Sequence, residues 1–567
     1  MSEHPTREWR RRTPSGEARA KIPTDLRSLP GPVARLLLER GLPGDGLRRY
    51  LHGSLSDLSP WDALPNAAEA ASIVRRTVEE GGRIMIHGDF DADGMTATAI
   101  LHRTLEELGA DVVYYVPDRL TEGYGMGPEG IRQARERGAV LVVTVDCGTG
   151  DLNAIRELRD SGVEAVVTDH HEPDGSDVYP GCVVNPKLAG DRYRPWSHLA
   201  GAGVALQIAR GLLGRGARPD LIADLFQLAA VGTVCDVVPL TDDNRTMVRE
   251  GIDAMRKEPL TGISALAAES GVDTGSMTTA DIAFGLGPRL NACGRLARAS
   301  LGIELLLGGD PEEARCLAGE LNSLNSRRRK LEGELLREVL PAAADRARRG
   351  DRSLVLSDGS WHRGVLGIVS GRIASRFGLV SVLLSTEDGV GYGSARSVPG
   401  VPLHEVLADM EPLLLSYGGH AAAAGISVRE EDIPAFGHAL EKRLSAFDRG
   451  EFEPVLYLDG TLAGSDISLD TLRALDVMRP FGAGNEEPVW LVREAEIVDW
   501  RLVGRQRSHL SCEVIVDGKR IRAIGFGLAG KVPLLGSPVD LACRLREDLY
   551  RGGGRLQLHL VDLRTAQ

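Results

Sequence analysis

Two apolar patterns alternate along the first half of the chain. The runs IMI (84–86), DVVYYVP (111–117), VLVVTV (140–145) and EAVVT (164–168) are apolar almost throughout, whereas TATAILHRTLEELGA (96–110), PEGIRQARERGA (128–139) and LNAIRELRDSG (152–162) space their apolar residues three or four apart. Strands that are apolar on both faces, separated by amphipathic helices, predict a parallel sheet covered on both sides. A doubly wound α/β domain is therefore expected over residues 68–309, preceded by a short helical, partly mobile lead-in rich in Arg, Pro and Gly (1–67).

Residues 310–350 keep a helical period with few breakers before Pro341, which predicts a long helix joining two lobes. After it, SLVLSDGSW (353–361), GIVSGRIASRFG (367–378) and VSVLLSTEDG (380–389) resume the β/α alternation, so a second, smaller α/β domain is expected over 351–450. The pattern then changes again. VWLVREAEIVDWRLVG (489–504), SHLSCEVIVDGKRIRAIGFG (508–527), VDLACRLRED (539–548) and RLQLHLVDL (555–563) alternate with period two between Gly-rich turns, which predicts a small five-stranded barrel of the OB type over 455–567.

Composition adds limits. With 567 residues, 43% of them hydrophobic and 26% charged, the chain is expected to fold as three or more globular units. No run approaches the ~20 apolar residues of a membrane span, and the charged N-terminus is followed by no apolar core, so a cytoplasmic protein without membrane association is expected. The seven cysteines form no CxxC pair, which leaves neither a zinc knuckle nor a disulfide framework to expect. A net charge of −13 counts against a nucleic-acid partner, but carboxylates neutralised by metal ions still enter that sum as negative.

The candidate chemistry lies where the strands end. In a doubly wound sheet the functional groups gather at the carboxyl ends of the strands. IMI runs into His87, Asp89, Asp91 and Asp93, VLVVTV into Asp146, AVVT into Asp169, His170 and His171, and the apolar segment LFQLAAVGTVC (225–235) into Asp236. All four clusters are expected at equivalent strand ends. Any one Asp at such a position is more often a turn former or a helix N-cap. Four acidic or imidazole clusters on one edge are another matter, because grouped carboxylates repel one another unless cations neutralise them. An oxygen and imidazole set without thiolate suits two Mn²⁺ or Mg²⁺ ions, which at about 4 Å separation can activate water and hold a phosphoryl oxygen.

The motifs HGDFDADG, VDCG, TDHHEP and VCDVVPL resemble the four sequential motifs of the DHH phosphoesterase family. The likeness is nearest to the branch of single-stranded-DNA-specific 5′ to 3′ exonucleases. It extends through PDRLTEGYG (117–125), VVNPK (183–187), GAGVA (201–205), GPRLNACGRL (287–296), WHRGVLGIVSGRI (361–373), YGSARS (392–397), YGGHAAAAG (417–425) and PFGAGNEEP (480–488), nearly the whole chain after residue 50. The resemblance implies His87, Asp91, Asp93, Asp146, His170 and Asp236 as metal ligands, with Asp146 bridging and Asp89 an additional aspartate beside them. His171 is implied to face the scissile phosphate or complete the metal sphere, with Arg289 and Asn291 near the substrate phosphate.

The second domain resembles the DHH-associated domain, and its GGH motif, Gly418, Gly419 and His420, is implied to contact phosphate together with Arg372 and Arg396. In the barrel, Arg501, Arg505, Arg507, His509, Lys519, Arg520 and Arg522, with Trp500 and Phe526 nearby, are expected to form a basic surface for single-stranded nucleic acid. The resemblance further implies release of 5′-mononucleotides in DNA repair and recombination, a monomer, and partners such as a single-strand-binding protein and a RecQ-type helicase. Two rivals stand beside it: a DHH phosphodiesterase for short oligoribonucleotides or cyclic dinucleotides, and a non-catalytic replication scaffold. The barrel argues against the first and the intact motif aspartates against the second. CGTG after Asp146 and TDDNR (241–245) depart from the family pattern without removing an implied ligand.

Overall fold

A computed structural model of the chain describes residues 8–12, 26–41, 44–119, 121–173, 179, 181–190, 194–453, 455–548 and 554–566. Its first sheet is entirely parallel. The strands stand in the order Val112–Tyr115, Ile84–His87, Leu141–Val145, Glu164–Thr168, Cys182–Val184. Successive side chains of a strand point to opposite faces. Ile84, Ile86, Val143 and Val145 accordingly pack under the helices Ala67–Glu79, Ala92–Glu107, Gly201–Leu213 and Pro219–Cys235. Met85, Val142 and Val167 pack under Pro128–Glu136 and Leu152–Asp160 on the other side. This is the doubly wound arrangement the apolar runs predict.

The segment 225–235 departs from expectation. It lies within the helix Pro219–Cys235, and Asp236 is that helix's C-cap residue, not a strand end. A fully buried helix and a fully buried strand are both apolar all round, so periodicity alone does not separate them.

The connecting helix is continuous over Pro311–Arg349, about 58 Å at 1.5 Å per residue. Asp310 caps its start by accepting from the backbone N–H groups of Glu312 and Glu313, and Gly350 ends it in the left-handed conformation. Pro341 sits inside it without ending it. Behind it the second lobe carries a mixed sheet, ordered Ser416–Gly419, Ala423–Arg429, Val390–Arg396, Val380–Glu387, Ser353–Ser357. Only its last two strands are parallel; the rest are antiparallel.

The third lobe closes on itself. Trp490–Val503, His509–Val516, Lys519–Gly525, Leu556–Thr565 and Val539–Glu547 pair in sequence around the barrel, and the last pairs back to the first. The N-terminal segment is built onto this lobe. Glu8–Arg11 pairs in parallel with Val455–Leu458, and Leu26, Val33, Leu36, Leu37 and Tyr50 share a core with Met478, Trp490 and Val492. This pairing spans more than 440 positions, and a four-residue strand reading EWRR carries no apolar signal of its own. The lead-in residues 1–7 and 13–25 lie outside the described residues.

Arg245, in the departing TDDNR segment, ties the first lobe to the third. Its guanidinium donates to the carbonyls of Tyr50, Val477, Met478 and Pro480 at 3.0–3.5 Å and stacks 3.8 Å from the Tyr50 ring centroid. Among the described residues no helix is long and apolar enough to cross a membrane.

Candidate metal centre

Parallel register carries three of the clusters to one edge. His87 ends its strand opposite Thr144, and Val145 pairs with Thr168, so Asp146 and Asp169 follow side by side. Asp146 then adopts φ +61°, a left-handed conformation seldom used by residues other than Gly, Asn or Asp. Such strain persists where the surroundings over-determine a position, commonly at functional sites.

The aspartates differ in their supports. Asp91 does act as an N-cap: one oxygen accepts from the backbone N–H of Asp93 at 2.9 Å and of Gly94 at 3.1 Å, which leaves its second oxygen for other work. Asp93, buried, accepts from the backbone N–H groups of Gly201 (2.7 Å) and Ala202 (2.9 Å) at the start of Gly201–Leu213. That accounts for GAGVA in physical terms, since a Cβ on Gly201 would lie 2.6 Å from the Asp146 side chain. Asn291 accepts from the backbone N–H of Ala92 at 2.9 Å and so holds the capped helix in place.

The imidazoles meet the acids from the end of the strand Glu164–Thr168. His170 Nε2 lies 3.0 Å from Asp146 Oδ1, 3.7 Å from Asp236 Oδ2 and 3.8 Å from Asp93 Oδ2. Despite that proximity, His170 Nε2 and Asp146 Oδ1 make no hydrogen bond, and His87 Nδ1 and Asp89 Oδ1 are buried without a partner as well. Buried polar atoms are almost always satisfied, so four orphans at one edge mark donors arranged for something other than each other. Among the described residues three groups place their donor atoms within 4.8 Å of one another: Asp89, Asp91 and Asp146; Asp93, His170 and Asp236; Asp146, His170 and His171. Asp146 and His170 each belong to two of these groups, and His87 to none.

Electrostatics repeat the point. Burial, then the neighbouring acids, push Asp236 up to about 9 and Asp93 up to about 7, and raise Asp89 and Asp146 well above the carboxylate range. Burial lowers His87 to about 4 and His170 to about 3. Without a cation Asp89, Asp93, Asp146 and Asp236 are driven toward the protonated form and His87 and His170 toward the neutral one. Oxygen and imidazole donors, already deprotonated in the imidazoles' case, fit divalent ions of the Mn²⁺ or Mg²⁺ kind.

Asp169 has a separate job. It accepts from the backbone N–H groups of Thr149 (2.9 Å), His170 (2.7 Å) and His171 (3.1 Å) and from His171 Nδ1 at 2.8 Å. Burial opposes its charge, but these donors outweigh it and hold Asp169 low, while His171 is raised against its own burial by Asp169. The His171 ring is fixed on that side. The Tyr124 hydroxyl, 2.8 Å from the same Nδ1, donates to the Asp146 carbonyl at 3.0 Å. The second lobe reaches in as well: His420 stacks on His171 with centroids 5.7 Å apart and planes 15° from parallel, carried there by Gly418 and by Gly419 at φ +144°.

The arginines divide unexpectedly. Arg289 donates to the carbonyls of Gly285 (2.7 Å) and Glu269 (3.1 Å) and to Asn322 (3.1 Å), so its guanidinium braces the turn before its helix. Arg372 pairs with buried Glu332 of the long helix at 2.5 Å. Arg396 donates to Ser394 Oγ (2.6 Å) and the Ala395 carbonyl (2.9 Å) and faces two cations that sequence reasoning missed, Arg119 and Arg295. Burial lowers all three, Arg295 to about 9, and Arg119 and Arg295 lie within the influence of Asp91. Neither position carried a sequence signal beyond membership of the PDRLTEGYG and GPRLNACGRL blocks.

The expected basic surface of the barrel is thinner than its sequence. Arg520 pairs with Asp499 and Glu513, Arg522 approaches Asp548 at 3.5 Å, and Lys519 donates to the Ile467 carbonyl. Arg501, Arg505 and Arg507 are exposed at the end of a hairpin, and His509 packs edge-on against exposed Phe526 at 5.3 Å, with Trp500 exposed too. Cross-strand neighbours on a barrel pair charges that are far apart in sequence.

The three lobes match three family models in order: the DHH family, N-terminal domain, over residues 83–233; the DHHA1 domain over 350–446; and the RecJ OB domain over 458–562. Among curated proteins, the single-stranded-DNA-specific exonuclease RecJ of Dickeya dadantii is 34% identical over 98% of this chain and 98% of its own length. The protein of the same name from Thermus thermophilus is 39% identical over 89% of this chain and 72% of its own. The crystal structure of RecJ from Thermus thermophilus in complex with Mn²⁺ superposes with a TM-score of 0.84 at 33% identity, covering 99% of this chain and 80% of that one. Likeness at this level along almost the full length of both partners, with all three domains in the same order, means that the chain belongs to the RecJ family of DHH proteins.

Proposed function

We propose that this protein is a metal-dependent exonuclease that hydrolyses the phosphodiester bonds of single-stranded DNA, using two Mn²⁺ or Mg²⁺ ions. The observation that carries the reading is the shared use of Asp146 and His170 by overlapping donor groups in which Asp89 Oδ1, Asp146 Oδ1 and His170 Nε2 are buried without a partner. Asp89, Asp91 and Asp146 would hold one ion, and Asp93, His170 and Asp236 the other, with His171 beside Asp146. The ions, when bound, supply Lewis-acid polarisation of phosphoryl oxygens and acidify water near neutral pH.

The chain's own residues do the positioning. Asp169 holds His171 by Nδ1, which leaves Nε2 outside that contact, and stacked His420 limits the ring's rotation. A group fixed in this way pays little reorganisation when charge develops on a phosphate oxygen. Arg119, Arg295 and Arg396 repel one another and favour an anion among them, which suits a second phosphate of the same strand. In this reading Asn291 and Arg289 act through the backbone they brace.

The remaining assignments follow the family resemblance: cleavage from the 5′ end, release of 5′-mononucleotides, work in repair and recombination in the cytoplasm, a monomeric state, and association with a single-strand-binding protein and a RecQ-type helicase. The test is a digest of 5′-labelled and 3′-labelled single-stranded DNA and of blunt duplex, with Mn²⁺ and with EDTA. Release of labelled mononucleotide at the earliest times from the 5′-labelled strand alone, abolished by EDTA and by Asp146→Ala, is expected. Equal cleavage of duplex, or full activity in Asp146→Ala, would sink the proposal.

A further inference from the structure

Between the first and third lobes runs a groove of about 1220 Å³. Cys235 and Asn291 line it beside the acidic edge, and Gln557 and His559 line it on the barrel. Its rim carries both signs, Arg479 pairing with Asp476 and Arg544 and Arg546 with Glu487, while Arg295 joins it to the cluster with Arg119 and Arg396. Inside it stand Phe284, 82% exposed, and Val237, 68% exposed, the two most exposed large hydrophobic side chains among the described residues.

Single exposed apolar residues are ordinary and need no explanation. These two are displayed by unusual backbone. Phe284 occupies a π-helical turn, Ile282–Leu286, and the next residue, Gly287, lies so close to the end of the helix Pro219–Cys235 that a Cβ on it would be 2.5 Å from Cys235 Sγ. Turns of this kind recur at functional sites. Val237 directly follows Asp236 and adopts φ +64°, a true outlier for a β-branched residue. Two independent backbone distortions thus carry the apolar groups that line one charged groove. The ring and the isopropyl group, both in this groove, suit a flat apolar partner, while Arg295, grouped with Arg119 and Arg396, suits a phosphate that carries it.

We propose that Phe284 and Val237 form a stacking platform for a nucleobase of the single strand, at a nucleotide adjoining the phosphate held at the acidic edge. The inference rests on the exonuclease reading above and deepens it. Stacking is indifferent to base identity, because every base offers a π-face, and so suits an enzyme that works along a strand of any sequence. Truncating Phe284 removes no core packing.

The test compares KM for oligothymidylate with KM for a strand of the same length bearing abasic sites over its first several nucleotides, in the presence of Mn²⁺. Phe284→Ala and Phe284→Leu are expected to raise KM on oligothymidylate about 10-fold, and Phe284→Trp to restore it. On the abasic strand the wild-type protein should already have lost the contact, so the variants add much less there. Equal effects of Phe284→Ala on the two strands, or no effect on oligothymidylate, would overturn the platform while leaving the exonuclease reading intact. Failure of the wild-type protein to cleave either strand would remove both.

Discussion

Stripping the metal should make this protein progressively less stable as the pH rises, which is opposite to the usual behaviour of a protein rich in aspartates. The perturbation is EDTA over pH 7 to 8.5. Asp236 is raised to about 9 by burial and by Asp93, against ~3.9 in an unfolded chain, so across this window the folded protein keeps a proton that the unfolded chain has released. A group whose folded pKa is raised gives stability that is complete below its unfolded pKa and is lost as pH climbs toward the folded value. One such proton costs about 1.4 kcal/mol per pH unit, or about 2 kcal/mol over the window.

Asp89 and Asp146 shift the same way and add to the loss. His87 and His170 act in the other direction, but only below about 6.5, where an unfolded imidazole is protonated. For a domain of this size, about 2 kcal/mol lowers the melting temperature by about 4 to 8 °C. Bound ions require the deprotonated ligands, so with excess Mg²⁺ the loss should vanish and the gap between loaded and stripped protein should widen with pH. Scanning calorimetry in the two conditions measures both. A stripped protein whose melting temperature stays flat or rises from pH 7 to 8.5 would show that the carboxylates ionise without a cation, and the cage argument would fail.

Two further outcomes follow from individual contacts. Tyr124→Phe removes the hydroxyl between the Asp146 carbonyl and His171 Nδ1, and should lower kcat about 10-fold while changing unfolding free energy by less than about 1 kcal/mol; steady-state kinetics with a melting curve separates the two effects. Arg245→Met leaves the carbonyls of Tyr50, Val477, Met478 and Pro480 without their donor, and should destabilise the junction of the first and third lobes by about 3 to 5 kcal/mol; limited proteolysis near residue 480 is expected to accelerate, and an unchanged digestion rate would deny the latch.

Much of this architecture was legible because burial writes itself directly into composition. Strands covered on both faces must be apolar at every position, as in Leu141–Val145, and a barrel with one wet face must alternate, as in His509–Val516. The acids and imidazoles at the metal edge were legible for the same kind of reason, since a parallel sheet delivers the residues after each strand to one side. The reading failed where two structures share one pattern. An apolar segment before Asp236 served equally for strand and helix, and only its packing against the helices Ala92–Glu107, Gly201–Leu213 and Asp242–Lys257 decided the matter.

The sequence by itself determined the sheet, the barrel and the chemical kind of the site, because those depend on near neighbours and on the period of the side chains. Tertiary structure decided how the same residue types divide their labour. Asp91 caps a helix while Asp89 keeps a free oxygen, Arg289 is consumed by carbonyls while Arg295 faces Arg119, and the charges of Arg520 and Arg522 are answered across the barrel. Those distinctions rest on contacts between residues remote in the chain and on the loss of solvent around them, neither of which is written at any single position.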